Sequence, residues 1–332
     1  MQPCVYSLSS LPAAAGSLGC GVRRFFLRSS SVSGVMLGRF HDSALRLLVV
    51  CLLLQLPAAA QDIGTITLVE GSLRVIRGAA VWRGIEGMKL NRGDIVESSG
   101  QGFVQMELPG GAVVALGPST RMFIFSHAAK TAELFVLSGW LKGEIGANAG
   151  TYVYASPLLA ATTHDGTVVL HAGGEAADIY IESGSAGISS VGPAGYVERP
   201  ASAKGGQFFS RRAGQAVIPA ARPSSAFVDA LPRAFRDTLP SRLARFAGKR
   251  IEPQRENEVT YAEIQPWLTI GQRWRRGFVE RFQPRLKDAE FRRELESHLR
   301  DYPEWDPILH PEKYEQKTPP AAAGSPDQEP RR

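Results

Sequence analysis

Beyond residue 60 the chain has no cysteine: Cys4, Cys20 and Cys51 are its three, and all precede that point. The remainder therefore has no disulfide, no thiolate nucleophile and no cysteine-based metal site. Long apolar runs are missing as well. The most apolar stretch, Leu47–Leu56, falls far short of the roughly twenty residues with which a helix crosses a bilayer. No H-E-x-x-H, G-x-S-x-G or Walker loop is present. His127, His164, His171, His298 and His310 stand at spacings no common ligand set uses; His164 and His171 could share a hairpin with Asp165, where His-Asp-Gly reads first as a turn. Ser119 in GPSTR and Ser185 in SGSAG read as turn serines. The glycines of Gly143–Gly150 follow a strand but open no helix, which removes a phosphate cradle. Asp94 and Glu97 flank a turn, and spacing alone does not make them a glycosidase pair. The expectation is a protein that is not an enzyme, with no cofactor and no metal.

A concentrated basic face is also absent. The formal net charge is +6, but residues 61–198 carry eight Lys/Arg against thirteen Asp/Glu, and residues 199–332 carry twenty-five against eighteen. An acidic half thus precedes a basic one, which argues against a nucleic-acid partner. It permits the basic half to dock on an acidic partner or on anionic envelope material.

The N-terminal sixty residues read as a leader. Arg39 and Arg46 precede the apolar run, and Pro57 and Ala58-Ala59-Ala60 follow it. Basic n-region, apolar h-region and A-x-A site make a signal peptide cleaved between Ala60 and Gln61, with no transmembrane segment left in the mature chain and a periplasmic destination. Met36 gives that leader a normal length; residues 1–35 read as translated upstream sequence.

From Ile63 to Ile124 one short strand follows another. ITLV, LRVI, FVQMEL and RMFIF alternate apolar and polar residues, as strands with one buried face do. Glycines close each run. The pattern continues through Glu133–Ile145, Thr151–Ser156, Leu158–Thr163, Gly166–His171 and Ala177–Ser183, and short β pieces persist to about residue 218. No long helical period separates the strands, so the sheet is expected to be mainly antiparallel, a sandwich or roll over residues 61–218.

Near Ala220 the texture changes. Residues 219–314 read as a small, basic helical extension, broken by Pro232 and Pro240, and residues 315–332 as a polar disordered tail. Thr260-Tyr-Ala-Glu263 is a capping box, and Asp288 is a natural N-cap. Trp267, Trp274, Phe278, Phe282 and Trp305 read either as a small helical core or, with Arg273, Arg275, Arg276 and Arg281 on the opposite side, as an exposed partner surface rich in Trp and Arg. Trp82 and Trp140 lie in strands and read as packing or as a sugar platform.

Residues 64–124 resemble the FecR-like domain. GTITLVEGSLRVIR matches its glycine-punctuated opening, and GMKLNRGDIVESSGQGFVQMELPGGAVVALGPSTRMFI its core, with Gly93-Asp94 at the conserved-type turn and Gly117-Pro118-Ser119-Thr120 at the corner. The resemblance extends to about residue 200, through Leu137–Ile145 and Tyr152–Leu170. Pro109-Gly110-Gly111 replaces the family's Asp-Gly, and Ser156-Pro157 its Thr-Pro. The resemblance implies a free-standing exported form, without the cytoplasmic anti-sigma bundle or transmembrane helix of the signalling members. It implies a scaffold or protein-interaction module in envelope signalling or assembly, whose partner is another envelope protein. The alternative is a carbohydrate- or peptidoglycan-binding protein.

Overall fold

The computed structural model describes residues 62–128, 131–192, 194–195, 199–249 and 251–314. The expected cleavage site at Ala60–Gln61 and the tail 315–332 lie outside the described residues. No helix among those described is long and apolar enough to cross a membrane.

Sixteen strands form one continuous sheet. β1 (Asp62–Glu70), β2 (Leu73–Arg77), β3 (Ala80–Arg83), β4 (Lys89–Asn91), β5 (Ile95–Ser98), β6 (Phe103–Leu108), β7 (Ala112–Leu116) and β8 (Arg121–Ala128) are short. β9 (Thr131–Ile145), β11 (Leu159–Gly173) and β12 (Ala176–Ser190) each run for 15 residues, with β10 (Thr151–Ala155) between the first two. β13 (Ala201–Lys204), β14 (Phe208–Arg212) and β15 (Ile218–Ala220) end the β region, and β16 (Gln254–Glu258) joins from further along the chain. The pairing is antiparallel as expected, apart from β9 with β10, which is parallel.

The long strands turn this sheet into a roll. The first half of β9 pairs with β8 and β10, and its second half with β7 and β11. The change of neighbours falls at Gly139, whose φ of +96° is open to glycine and strained for other residues. A Cβ there would lie 2.4 Å from Thr120 Oγ1 and 2.5 Å from Thr120 Cα. Gly166 in β11 and Gly184 in β12, paired with one another and both at positive φ, make the matching bend.

The strands are buried on both faces, not on one as the alternation suggested. In β8, Met122 and Ile124 enter the interior of the roll while Phe123 points outward into a second apolar cluster. In β7, Val114 and Leu116 face the interior and Val113 and Ala115 a third cluster. Residues 219–314 cover both outer faces. One cover contains α1 (Ser225–Ala230) and a strap bearing Phe227, Phe235 and Leu239. The other is a set of short helices: α2 (Tyr261–Leu268), α3 (Gln272–Arg275), α4 (Phe278–Phe282), α5 (Ala289–Ser297) and α6 (Asp306–Leu309). The capping box at Thr260/Glu263 and the Asp288 cap both form. Residues 219–314 are thus the second wall of two apolar clusters, and β16 extends the sheet beyond β3.

Tyr154 is fully buried, and its hydroxyl, without a partner among the described residues, lies where Gly143 leaves room for it. Burial pushes its ionisation well above the ordinary value and pushes Tyr152 up to about 12. The folded chain holds these protons more tightly than the unfolded chain. Tyrosine ionisation should therefore leave stability unchanged below the ordinary value of 10.0 and lower it from there toward about pH 12. Urea denaturation across that window should show the fall, and Tyr152→Phe should reduce its slope. Gly139→Ala should destabilise by about 2–5 kcal/mol, combining backbone strain with the collision at Thr120, and thermal melting reads it directly.

Candidate functional site

The turn residues singled out in the sequence are structural nodes. Gly93 has φ +88°, and the Asp94 carboxylate, buried, accepts from Arg77 Nε at 3.0 Å, Arg77 Nη2 at 2.6 Å and the Asn91 amide at 2.8 Å. Arg281 reaches the same turn from α4. It donates to the carbonyls of Gly93, Gly78 and Ile76 at 2.5, 2.9 and 2.8 Å, with its guanidinium 4.9 Å from the Phe282 ring centroid. Burial lowers its ionisation to about 10, against an opposing pull from Asp94, so it stays charged at neutral pH.

Of the two readings of the extension's aromatics, the structure gives the core and not the candidate partner surface. Trp267, Trp274, Phe278 and Trp305 are buried, three of them against Phe123 or Phe135 of the sheet or its cluster neighbours. The reason is the outward apolar face of the sheet, which the helices must cover. Their arginines follow them inward: Arg273 pairs with Glu133 at 2.7 Å, Arg275 with Glu304 at 3.1 Å, and Trp274 Nε1 donates to Glu133 at 3.0 Å. Arg276 remains exposed.

Of the strand tryptophans, Trp82 is half-buried against the interior cluster and Trp140 is covered. Trp140 is 9% exposed, stacks on His171 with centroids 4.1 Å apart and packs on Phe227 at 5.2 Å. This group walls a cavity of about 390 Å³ that also holds Asp178 and Ser210. His171 Nδ1 lies 3.4 Å from Asp178, and the strand register places Asp178 between His171 and Ser210. The serine thus neighbours the carboxylate and not the imidazole, the wrong order for a nucleophile and its base. His164 meets Thr151 Oγ1 at 3.0 Å, and no group of three metal-ligating side chains occurs among the described residues.

What the fold does assemble is a polar pit of about 360 Å³ at the Gly117–Thr120 corner, lined by Ser72, Arg74, Glu97, Ser99, Ser119, Arg121 and Ser138 among others. The corner is held rigidly. Ser98 Oγ donates to Gly117 O at 2.6 Å and accepts from the Thr120 amide at 2.9 Å, and the Ser119 amide donates to Ser99 O at 2.9 Å. Ser119 has φ +50°, the one non-glycine at positive φ among the described residues, and such strain gathers at functional corners. Glu97 sits 3.7 Å from both Arg74 and Arg121 and accepts from Trp267 Nε1 at 3.3 Å, while Arg74 also pairs with Glu263 of α2. Two partly exposed guanidiniums and several hydroxyls therefore converge on one opening, suited to hydrogen-bonding a carboxylate, an amide or a sugar hydroxyl. No lining side chain is a histidine, cysteine or lysine. Of these residues, the sequence reading had placed Ser119 and Glu97 only at turns, and Trp267 in the extension. Arg74, Arg121, Ser72 and Ser138 escaped it, because they come together only through strand pairing.

The sequence reading also missed three buried charges that dock the cover. Lys142 is fully buried. It donates to the carbonyls of Phe235 and Asp237 at 2.9 Å each, with Glu182 at 3.1 Å and Glu144 at 3.4 Å. Glu107 accepts from Ser241 Oγ at 2.6 Å, and Glu133 has been described above. A charge inside an apolar strand, as in Leu141-Lys142-Gly143, was the available signal.

No family model matches the chain, and no curated protein matches it. Two crystal structures described as a "putative anti-sigma factor" from Parabacteroides distasonis ATCC 8503 are similar to it at 10% identity each, with TM-scores of 0.34 and 0.35. The similarity covers 39% and 41% of this chain and 59% and 64% of those chains, so less than two thirds of their length is spanned.

Lys142→Ala should cost about 3–5 kcal/mol, because it leaves Glu144 and Glu182 facing orphaned carbonyls, and Lys142→Met should cost less by restoring volume. Urea titration of the two variants provides the comparison.

Proposed function

We propose that this chain is an exported, non-enzymatic FecR-like protein that acts as an interaction or scaffold module in envelope signalling or assembly. The observation that carries this reading is the role of the buried ionisable groups. Asp94, Glu107, Glu133 and Lys142 are each held by partners from other elements, so they fasten layers together. Presented to solvent at the rigid β corner is the Arg74–Glu97–Arg121 pit, a recognition feature of guanidiniums, a carboxylate and hydroxyls. The turn pattern of residues 64–124 supports the family reading, and the leader of residues 44–60 supports the periplasmic location. Against the glycan alternative stands the covering of Trp140 by His171 and Phe227, which leaves Trp82 as the strand tryptophan with partly exposed surface.

Two measurements test this. Fractionation with N-terminal sequencing should find a periplasmic species beginning near Gln61; an uncleaved membrane-bound species would return transmembrane signalling to consideration. A photo-cross-linking residue at Ser138, in the lining of the pit, should then capture a discrete envelope protein, and Arg121→Gln, which leaves the Arg74 contacts to Glu97 and Glu263 in place, should reduce the product several-fold while thermal melting stays close to that of the native chain. Sedimentation with purified sacculi and no cross-linked protein would favour the peptidoglycan reading.

A further inference from the structure

The strap that covers the outer face of β7, β9 and β14 has two sides of different chemistry. Inward, Phe227, Phe235 and Leu239 close the cluster containing Val113, Trp140, Val169 and Phe208. Across residues 212–249 there are seven Lys/Arg against two acids, Asp229 and Asp237. Six of the seven are exposed, Arg212, Arg222, Arg233, Arg236, Arg245 and Lys249, and none of the six has a carboxylate partner among the described residues. Arg242 is the exception: it is half-buried, and its amide donates to Glu107. Among the exposed arginines stand aliphatic side chains that the fold leaves uncovered: Ile218 at 57%, Val228 at 44% and Leu243 at 40% exposure.

We propose that the outer side of this strap docks on an anionic phospholipid surface. Guanidiniums gain attraction from a negatively charged headgroup layer, and aliphatic side chains among them enter the acyl boundary. Single-stranded nucleic-acid surfaces add outward aromatics for base stacking; here Phe227 and Phe235 point into the protein, and half-buried Phe246 lies under Arg245 and Lys249. It differs from the ionic contacts made elsewhere in the chain, where arginines such as Arg273, Arg281 and Arg285 are held by carboxylates or carbonyls of the fold. The same geometry makes the strap firm: Lys142, Glu107 and Glu144 each bond to its backbone or side chains, so its outer residues are presented without ordering a loose segment on binding. The inference is independent of the proposed protein partner, and either can fail with the other intact.

Co-sedimentation of the full chain with two kinds of vesicle tests it, one of phosphatidylcholine alone and one equimolar in phosphatidylcholine and phosphatidylglycerol. The expected result is binding to the anionic vesicles that added salt weakens, with little binding to the neutral ones. The triple variant Arg233→Glu, Arg236→Glu, Arg245→Glu should weaken it on the order of a hundredfold, since each basic residue near such a surface contributes roughly fivefold. Leu243→Ser alone should weaken it several-fold without altering charge. The native chain and its variants share the apolar stretch of residues 47–56, so that stretch cannot produce the difference. Equal sedimentation of the native chain and the triple variant would overturn the proposal. So would a preference for duplex DNA over the anionic vesicles in competition, or equal loss of sedimentation from neutral and anionic vesicles in the triple variant. These side chains make no ion pair within the described fold, and the contact of Arg245 over the half-buried Phe246 ring is the one the triple variant removes, so thermal melting should stay close to that of the native protein; if the triple variant melts early, Arg236→Glu and Leu243→Ser alone decide the question.

Discussion

A strand whose side chains are apolar on both faces has no side that can be left to water, and most of this fold follows from that constraint. Val113, Val114, Ala115 and Leu116 of β7 alternate between two different clusters, as do Met122, Phe123 and Ile124 of β8. The inner faces meet because β9, β11 and β12 are long enough to bend and to serve both layers. The outer faces have no second sheet to meet. Residues 219–314 supply their covers, a strap on one side and short helices on the other. Helices of four to nine residues would be marginal alone in water, and tertiary packing is what holds them.

Apolar contact alone does not say where each cover should sit. The positions are set by polar contacts that cross the interfaces. Lys142 and Glu107 fix the strap, Glu133 fixes α3, Arg281 fixes α4 through three carbonyls, and Glu97 fixes α2 through Trp267. Such buried charges add little net stability over apolar packing, but a misplaced cover would leave them unpaired, at a cost of several kcal/mol. The ends of the sheet are guarded in a similar spirit. β16 is exposed at every position and reads Gln-Arg-Glu-Asn-Glu, and β15 carries Pro219. Charge and proline both discourage addition of a further strand.

The polar pit is a by-product of the same assembly with a character of its own. Its wall joins β2, β5, β8 and β9 at a corner where Ser119 is held at positive φ, and from α2 Trp267 and Glu263 bond to Glu97 and Arg74 of that wall. Arginines and hydroxyls meet at this corner, and exposed arginines and aliphatic residues lie along the strap.

Much of the local structure was legible in the residues themselves. Period-two alternation with glycine turns is a backbone property, so the strands from Ile63 to Ser183, the turn at Gly93-Asp94 and the corner at Gly117–Thr120 could be read directly. The caps at Thr260 and Asp288 are equally local. Whether an apolar residue such as Phe123 faces the interior or a second cluster depends on what packs against it, and periodicity carries no record of that. The same limit applied to Trp267, Trp274, Phe278 and Trp305, which helical spacing could place either in a core or on a surface. Only the tertiary structure decided for the core, because the outward face of the sheet had to be covered. The pit and the Lys142 anchor belong to the same class: Ser72, Arg74, Glu97, Arg121 and Ser138 are brought to one opening by strand register, and pairing across the sheet is set by the whole chain and not by any stretch of it.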